Sequence, residues 1–192
     1  IAGAELTAPQ RLQRLTPFSA AQAAACLSLS AGDVRLDRHA PQIISVGLPF
    51  LAVELGSREA LRRARPDADA FAQIFPRDGC DAVYLYTRDV PAAEQPCDLQ
   101  ARMFHPGSSG LSEDPATGSA TAAAAALLAD LAGERDAELA LRIGQGVDLG
   151  RPSLLLTRVR KENGVVVASH VGGRCVPMME GTFRLAGEEG TA

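Results

Sequence analysis

The sequence is short of long apolar runs and of lysine, and each shortage argues against one class of protein. Its longest apolar run, Ala122 to Leu128, ends before Asp130 and is far too short to span a bilayer. Its only lysine is Lys161, and a formal net charge of -4 does not suit a surface that binds nucleic acid phosphates. We therefore expect neither a membrane span nor a nucleic acid partner.

The cysteines and histidines also lack the spacing of a metal site or a redox motif. The four cysteines, with no Cys-x-x-Cys among them, are Cys26, Cys80, Cys97 and Cys175. The three histidines, separated by long stretches of chain, are His39, His105 and His170. These patterns predict no metal site, and the scattered cysteines predict a reducing, cytoplasmic compartment.

The most informative stretch is the polar run from Glu113 to Thr121, which leads directly into the apolar run. It predicts a helix from about Gly118 to Leu131. A helix that is apolar on all sides has to be buried, so its first N–H groups lack bulk water and point at one spot with the positive end of the helix dipole. Such a spot binds anions, and Asp114 would lie beside it.

The same polar residues also suit a plain helix cap. Asp, Thr and Ser are all preferred at the N-cap, and Pro115 suits a first turn. One cap needs fewer hydrogen-bonding residues than this stretch carries, which favours a functional role. The residues alone leave two interpretations open, a structural cap and an anion site flanked by Asp114 and Ser119.

The rest of the chain mixes helical and extended patterns. Ser19 and Gln22 form a capping-box pattern before a helix that extends to Leu29, and shorter helical patterns cover 58–65 and 67–75. Residues 1–17 are predicted to be turn-rich. Strands are predicted over 43–55, 82–87, 99–104, 139–143, 153–160, 165–169, 175–179 and 182–185. So many strands around one apolar helix indicate an α+β fold, with a curved, mostly antiparallel sheet wrapped around a central buried helix.

Two further segments resemble ligand-binding motifs without matching them. Gly144 to Gly150 is glycine-rich, but it lacks the dinucleotide spacing and does not open a helix. A turn at the rim of the sheet is predicted there, with Gln145 as a candidate for the same pocket. The arginine cluster before Pro66 favours a solvated helix face over a phosphate site. Its members are Arg58, Arg62, Arg63 and Arg65.

Together these segments resemble the PhzF-like family of phenazine biosynthesis isomerases, which share the fold of diaminopimelate epimerase. The resemblance rests first on Arg102–Gly107 and on Glu113–Ala120. The further matching stretches are Ser45–Phe50, Gln145–Val147, Leu149–Ser153, Val171–Arg174, Val176–Pro177 and Glu180–Thr182. It covers essentially all of residues 1–192, but only the C-terminal two-thirds of a typical member.

The resemblance implies a two-lobed protein that binds its substrate between the starting ends of two buried helices and needs no metal or organic cofactor. Residues 1–192 would be the C-terminal lobe, with the packing of the final strand or strands on the other lobe left open, and a homodimer is implied. The reaction would move a proton within a small carboxylated metabolite. Catalytic roles fall to Asp114 and Ser119. The residues assigned to substrate binding are Pro115, Ala116, Thr117, Gly118 and Gln145.

The upstream lobe of the family carries a glutamate base in a Ser-Glu-Thr segment and also a Gly-His-Pro-Thr segment, and neither string occurs in this sequence. We therefore expect that lobe to come from the same or another polypeptide. Two alternatives to an isomerase stay open: a carboxylate-binding or regulatory module without turnover, and a structural subunit that completes a partner's site. Epimerases of this fold use a cysteine pair, and Asp114 at one of those positions favours carboxylate chemistry instead.

Overall fold

A computed structural model describes residues 3–94, 96–108 and 110–182, which form four α-helices and ten β-strands. The helices are α1 (Ala20–Cys26), α2 (Arg58–Arg63), α3 (Ala68–Ile74) and α4 (Gly118–Asp130). The strands are β1 (Ala4–Thr7), β2 (Gln13–Pro17), β3 (Gln42–Ser45), β4 (Pro49–Glu54), β5 (Val83–Thr87), β6 (Leu99–Gly107), β7 (Gly110–Asp114), β8 (Ala137–Gln145), β9 (Ser153–Glu162) and β10 (Val165–Gly173). The mixture confirms the α+β class.

All ten strands belong to one sheet. Nine of them follow the order β1-β10-β9-β8-β6-β5-β4-β3-β2, and β7 pairs with β6 beside this path. The pairs β4–β5 and β6–β8 are parallel, and the other pairs are antiparallel. The short connection from β1 to β2 bonds to β10, through Ala8 N–H to Ser169 O at 2.8 Å, and to the residue after β3, through Gln10 N–H to Val46 O at 3.1 Å. The first and last strands of the order therefore lie near each other.

Helix α4 is buried along almost its whole length. Residues 120–129 are buried, and the helix contacts β3, β4, β8, β9 and β10. Alanine and leucine occupy nearly all of its surface, so no side of the helix is suited to water. The hydroxyls of Tyr84 and Thr121 lie 3.0 Å apart and satisfy each other inside this core. The helix predicted from Gly118 to Leu131 is confirmed to within one residue.

A second core lies on the other face of the central strands, against α1, α2 and α3. In β3 and β4, Ile44 and Ala52 belong to the core around α4, while Ile43 and Leu51 belong to the second core. Both strands are buried on both faces, which explains why they appear in the sequence as continuous apolar runs.

The three short helices begin at polar caps. Ser19 Oγ accepts from Gln22 N–H at 3.2 Å, and Gln22 Oε1 accepts from Ser19 N–H at 3.0 Å, which confirms the predicted capping box. Ser57 and Asp67 cap α2 and α3 in a similar way. Each helix is slightly shorter than its predicted range. Among the described residues, no helix is long and apolar enough to cross a membrane.

The predictions for the two ends of the chain are wrong. Residues 1–17, predicted as turns, contain β1 and β2, two edge strands whose mainly exposed side chains show no apolar alternation. Cys175–Met179, predicted as a strand, has no regular structure, because no described strand pairs with it. Met179 is 96% exposed. The predicted strand over 182–185 lies, apart from Thr182, outside the described residues.

The arginine cluster does not form one solvated helix face. Arg62 and Arg63 are exposed as predicted, but Arg58 is buried. Its guanidinium lies 2.9 Å from a carboxylate oxygen of Asp148 and 2.8 Å from one of Glu94. The prediction fails for Arg58 because both carboxylates come from distant positions in the chain.

Cys175 is expected to react first with a thiol reagent. It is exposed, whereas Cys26, Cys80 and Cys97 are buried. Burial raises the pKa of Cys26 to about 12 and of Cys80 to about 11, so at pH 8 both are protonated thiols, and only the thiolate is reactive. We expect iodoacetamide to label Cys175 at least about 10²-fold faster than Cys26 and Cys80, as measured by mass spectrometry. Labelling in urea is the control, and fast native labelling of Cys80 would contradict its burial.

Candidate active site at the start of helix α4

The polar motif spans the end of β7 and the start of α4. In β7, Asp114 is the last residue and lies opposite Met103 of β6. Residues 115–117 form the connecting turn, and the helix begins at Gly118 with Thr117 as its N-cap. The end of the strand thus brings Asp114 beside the first turn of the buried helix.

Asp114 belongs to a hydrogen-bonded network with Thr117 and Gln145. Thr117 Oγ1 donates to Asp114 Oδ2 at 2.7 Å, and Ala116 N–H lies 3.4 Å from Asp114 Oδ1. Gln145 Nε2 donates to Thr117 Oγ1 at 3.0 Å and to the carbonyl of Asp114 at 2.8 Å. Gln145 Oε1 accepts from Thr117 N–H at 3.1 Å. These bonds hold the turn and the Asp114 carboxylate in one orientation.

The network contains both partly exposed residues and buried residues. Asp114, Gly118 and Ser119 are half-buried. Thr117 is only 7% exposed and Gln145 is 0% exposed. Thr117 and Gln145 therefore hold Asp114 and the turn from the buried side. Their assignment to substrate binding stays a prediction.

The first turn of α4 leaves its amide groups without protein acceptors. Thr117 makes no side-chain capping bond, and the first backbone bond of the helix runs from Thr121 N–H to Thr117 O at 3.0 Å. Among the described residues, none accepts a hydrogen bond from the amides of residues 118–120. Asp114 binds the Thr117 hydroxyl and not these amides, so the plain cap interpretation does not describe this helix start.

Two open grooves meet at Gly118, the first residue of α4. The first has a volume of about 370 Å³, and the second one of about 620 Å³. Gly118 and Leu6 line both grooves, Ser119 lines the first, and Ala116 lines the second. Their other walls are mostly apolar and include Leu48, Leu154, Leu156 and Val171. Pro115 is half-buried, and the two grooves are lined by none of Asp114, Pro115, Thr117 and Gln145. A molecule in either groove would meet apolar walls and the polar start of the helix.

Sequence reasoning missed the contacts that hold this turn in place. Gly146 has a φ of 77°, and a Cβ there would lie 2.7 Å from the carbonyl oxygen of Pro115. Arg102 donates to both carboxylate oxygens of Glu113, at 2.9 and 2.7 Å, immediately before Asp114. Both residues lie in stretches singled out in the sequence, but no local pattern identifies their partners. For the groove residue Leu6 there was no sequence signal.

The histidines take no part in this site. His105 Nδ1 lies 2.7 Å from the carbonyl of its neighbour Pro106, and buried His39 Nε2 lies 2.7 Å from the Tyr86 hydroxyl. Neither lines the two grooves at α4. Within the described part of the chain, no group of His, Cys, Asp and Glu residues is arranged to hold a metal ion.

Gln145→Leu is expected to lower the free energy of unfolding by about 2 kcal/mol. Leucine fills a similar volume but leaves the Thr117 N–H and the Asp114 carbonyl without their partner, and a buried unsatisfied group is costly. Urea denaturation measures the loss. Gln73→Leu on the exposed side of α3 is the matched control and should have little effect. Equal losses in the two variants would contradict the role of the network.

Known structures share this fold. The chain is similar to the crystal structure of the Bacillus anthracis phenazine biosynthesis protein of the PhzF family, with a TM-score of 0.74 and 18% identity over 89% of this chain and 57% of that chain. It is also similar to a protein described as a predicted epimerase from Pseudomonas aeruginosa, with a TM-score of 0.62 and 32% identity over 90% of this chain and 55% of that chain. The fold is therefore that of PhzF-type proteins.

Sequence comparisons agree with the structural ones. The family model of phenazine biosynthesis-like proteins matches residues 4–181, and the chain belongs to this family. An uncharacterized isomerase of Mesorhizobium japonicum is 31% identical over 160 residues, which are 82% of this chain and 52% of that protein. An uncharacterized isomerase of Clostridium acetobutylicum is 25% identical over 152 residues, or 78% and 49%. The chain thus spans about half the length of these curated relatives.

Proposed function

We propose that the chain is the C-terminal lobe of a cofactor-independent isomerase or epimerase that moves a proton within a small carboxylated substrate. The observation that carries this proposal is the set of unpaired amides of residues 118–120 beside the half-buried carboxylate of Asp114. The amides suit an anionic group, and the carboxylate suits proton exchange next to it. Membership of the family and the isomerase names of two relatives support the reaction class.

The substrate carboxylate would bind at the amides of Gly118 and Ser119. The start of a helix carries roughly half a positive charge, and its free N–H groups point at the ligand. The surrounding groove walls are mostly apolar, so these dipoles would act in a medium of lower dielectric constant once a covering lobe excludes water. Negative charge that develops next to the bound carboxylate during proton transfer would be stabilised by the same fixed dipoles.

Asp114 would donate or relay the proton, and Ser119 would orient the substrate. The hydroxyl of Thr117 holds one oxygen of the Asp114 carboxylate at 2.7 Å, while the other oxygen has only a long contact of 3.4 Å to Ala116 N–H. A carboxylate that is held in one orientation but keeps a free oxygen suits general acid–base catalysis. The principal base would be the glutamate of an upstream lobe, as the family resemblance implies.

The whole protein would have the two-lobed architecture of diaminopimelate epimerase, with the sheet of this lobe curved around α4. Large apolar side chains beside the grooves support a covering lobe, since Leu6 is 70% exposed, Leu48 61% and Val176 77%. Contiguous apolar surface of this kind marks interaction sites. The segment Cys175–Met179 would find its missing strand partner on that lobe.

A carboxylate-binding module without turnover is the second candidate. It is favoured by the lining of the two grooves, which includes Gly118 and Ser119 but not Asp114. Such a module would use the same amides at the start of α4 and would not need a base.

Hydrogen exchange with solvent separates the two candidates. The chain, joined to its upstream lobe, is incubated in D₂O with a panel of cyclic and acyclic amino and hydroxy acids. Mass spectrometry then detects deuterium on carbon. The proposal expects incorporation into at least one acid by the two-lobed protein and none by the isolated chain. Binding of an acid without exchange across the panel would favour the module instead.

A further inference from the structure

We propose that Arg58 and Arg102 are positioning residues, which hold the two halves of the Asp114–Gln145 network at opposite ends of helix α2. This inference rests on the proposed function for its effect on catalysis, but the geometry itself can be tested separately. Neither arginine lines the grooves at the start of α4. Both act through the residues that they bind.

Arg58, the first residue of α2, holds the loop that follows Gln145. Its Nη1 and Nη2 donate to the two carboxylate oxygens of Asp148, both at 2.9 Å, and its Nε donates to Glu94 at 2.8 Å. Burial lowers the pKa of Arg58, but the hydrogen bonds to Asp148 and Glu94 outweigh it and raise the pKa above its ordinary value. The bidentate bond between Arg58 and Asp148 sets both the distance and the angle between α2 and this loop.

Arg102 of β6 links the other end of α2 to the strand that carries Asp114. It donates through Nε and Nη2 to both oxygens of Glu113, and through Nη1 to the carbonyls of Leu61 and Ala64, each at 2.9 Å. Leu61 lies in the last turn of α2, and Ala64 is its C-cap. Arg102 itself is only 5% exposed. A buried arginine with this set of acceptors leaves β7 little freedom to move relative to α2.

The two arginines therefore hold the residues next to the network, one on each side. Glu113 directly precedes Asp114, and successive strand residues point to opposite faces. A bound Glu113 thus fixes the direction of Asp114 on the other face. Asp148 follows Gln145 by three positions, so its bond to Arg58 fixes the start of that loop. Helix α2 sets the distance between the two halves.

Ion pairs that only stabilise the fold would give a different result when they are removed. Arg62 on the same helix pairs with Glu59 at 2.8 Å, but both side chains are more than half exposed and neither binds a residue of the network. If ion pairs on α2 mattered only for stability, the loss of Arg58 would speed amide hydrogen exchange equally throughout the chain. Arg62 gives a matched control, since it carries the same charge on the same helix.

The test is amide hydrogen exchange in the isolated chain, monitored by NMR. The probes are the side-chain amide of Gln145 and the backbone amide of Thr117. The amide of buried Val159 in β9, which is paired on both sides, is the internal reference. Arg58→Ala should speed exchange of the two probes by at least about tenfold relative to Val159, because the loop loses its partner. Arg62→Ala should leave all three rates near those of the native chain.

A second variant, Asp148→Asn, keeps the inference testable if Arg58→Ala does not fold. Asp148→Asn keeps the shape of the side chain and leaves Arg58 paired with Glu94, and it should still speed the Gln145 and Thr117 probes selectively. In the two-lobed protein the same variants should lower kcat by about 10- to 100-fold, the usual result of misplaced reacting groups. Equal acceleration of the probes and Val159, or no acceleration, would overturn the inference even if no substrate is found.

Discussion

Asp114→Asn is expected to lower hydrogen exchange between substrate and solvent by about 10²- to 10⁴-fold in the two-lobed protein. Asparagine keeps the size of the side chain, and its oxygen can still accept from the Thr117 hydroxyl, which lies 2.7 Å from Asp114 Oδ2. It cannot gain or lose a proton at neutral pH, so transfer through this position stops. The amides of α4 are unchanged, and KM should therefore change much less than kcat. Deuterium incorporation measured over a range of substrate concentrations gives both.

Asp130→Asn is the matched control for this prediction. Asp130 is the last residue of the same helix and pairs with Arg14 at 3.1 Å, far from the first turn. Its loss should leave the exchange rate close to that of the native protein. If Asp114 were only a structural residue, Asp114→Asn would lose about 1 kcal/mol of stability and keep its exchange rate. That result would remove Asp114 from the mechanism.

Gly146→Ala is expected to lower the free energy of unfolding by about 2 to 5 kcal/mol. Gly146 has a φ of 77°, a left-handed conformation that costs alanine about 1–2 kcal/mol. The added Cβ would also lie 2.7 Å from the carbonyl oxygen of Pro115 and closer still to that of Arg151. Both are backbone atoms, so the turn before α4 has to shift, at a further cost of about 1–3 kcal/mol. Urea denaturation measures the sum.

Gly150→Ala separates the two contributions. Gly150 has nearly the same φ, 74°, but a Cβ there meets nothing within 4 Å. This variant should show only the backbone cost of about 1–2 kcal/mol. Because Pro115 belongs to the candidate site, folded Gly146→Ala should also bind carboxylates more weakly, whereas Gly150→Ala should not. Equal losses in both variants would show that the close approaches to the carbonyls of Pro115 and Arg151 do not matter.

Local patterns predicted the helices and the buried strands well. The capping box at Ser19, the alanine-rich helix α4 and the runs in β3 and β4 each depend on residues within a few positions of one another. The edge strands β1 and β2 were missed for the opposite reason. Their side chains are exposed and carry no alternation, and only pairing with β10 and β3 makes them strands. Cys175–Met179 has a strand-like composition but no described neighbour to pair with.

The start of helix α4 was predicted from the sequence, but the contacts around it were not. The stretch from Glu113 to Ser119 indicated a helix start with a carboxylate beside it, and the structure has this arrangement. Gln145, a candidate for the pocket from the sequence, is fully buried and accepts a hydrogen bond from Thr117 N–H. The sequence distance between these two residues is too long for any local pattern to reveal their contact.

By itself the sequence determined which helix must be buried and which end of it carries free amides, because both follow from the order of apolar and polar residues along one segment. Only the tertiary structure decided that Gln145 holds Thr117 and that Arg58 is buried. It also decided that Arg102 ties Glu113 to α2. The physical reason is that an arginine or a glutamine gains little in water, and becomes fixed only when distant strands and loops bring its partners together and exclude solvent.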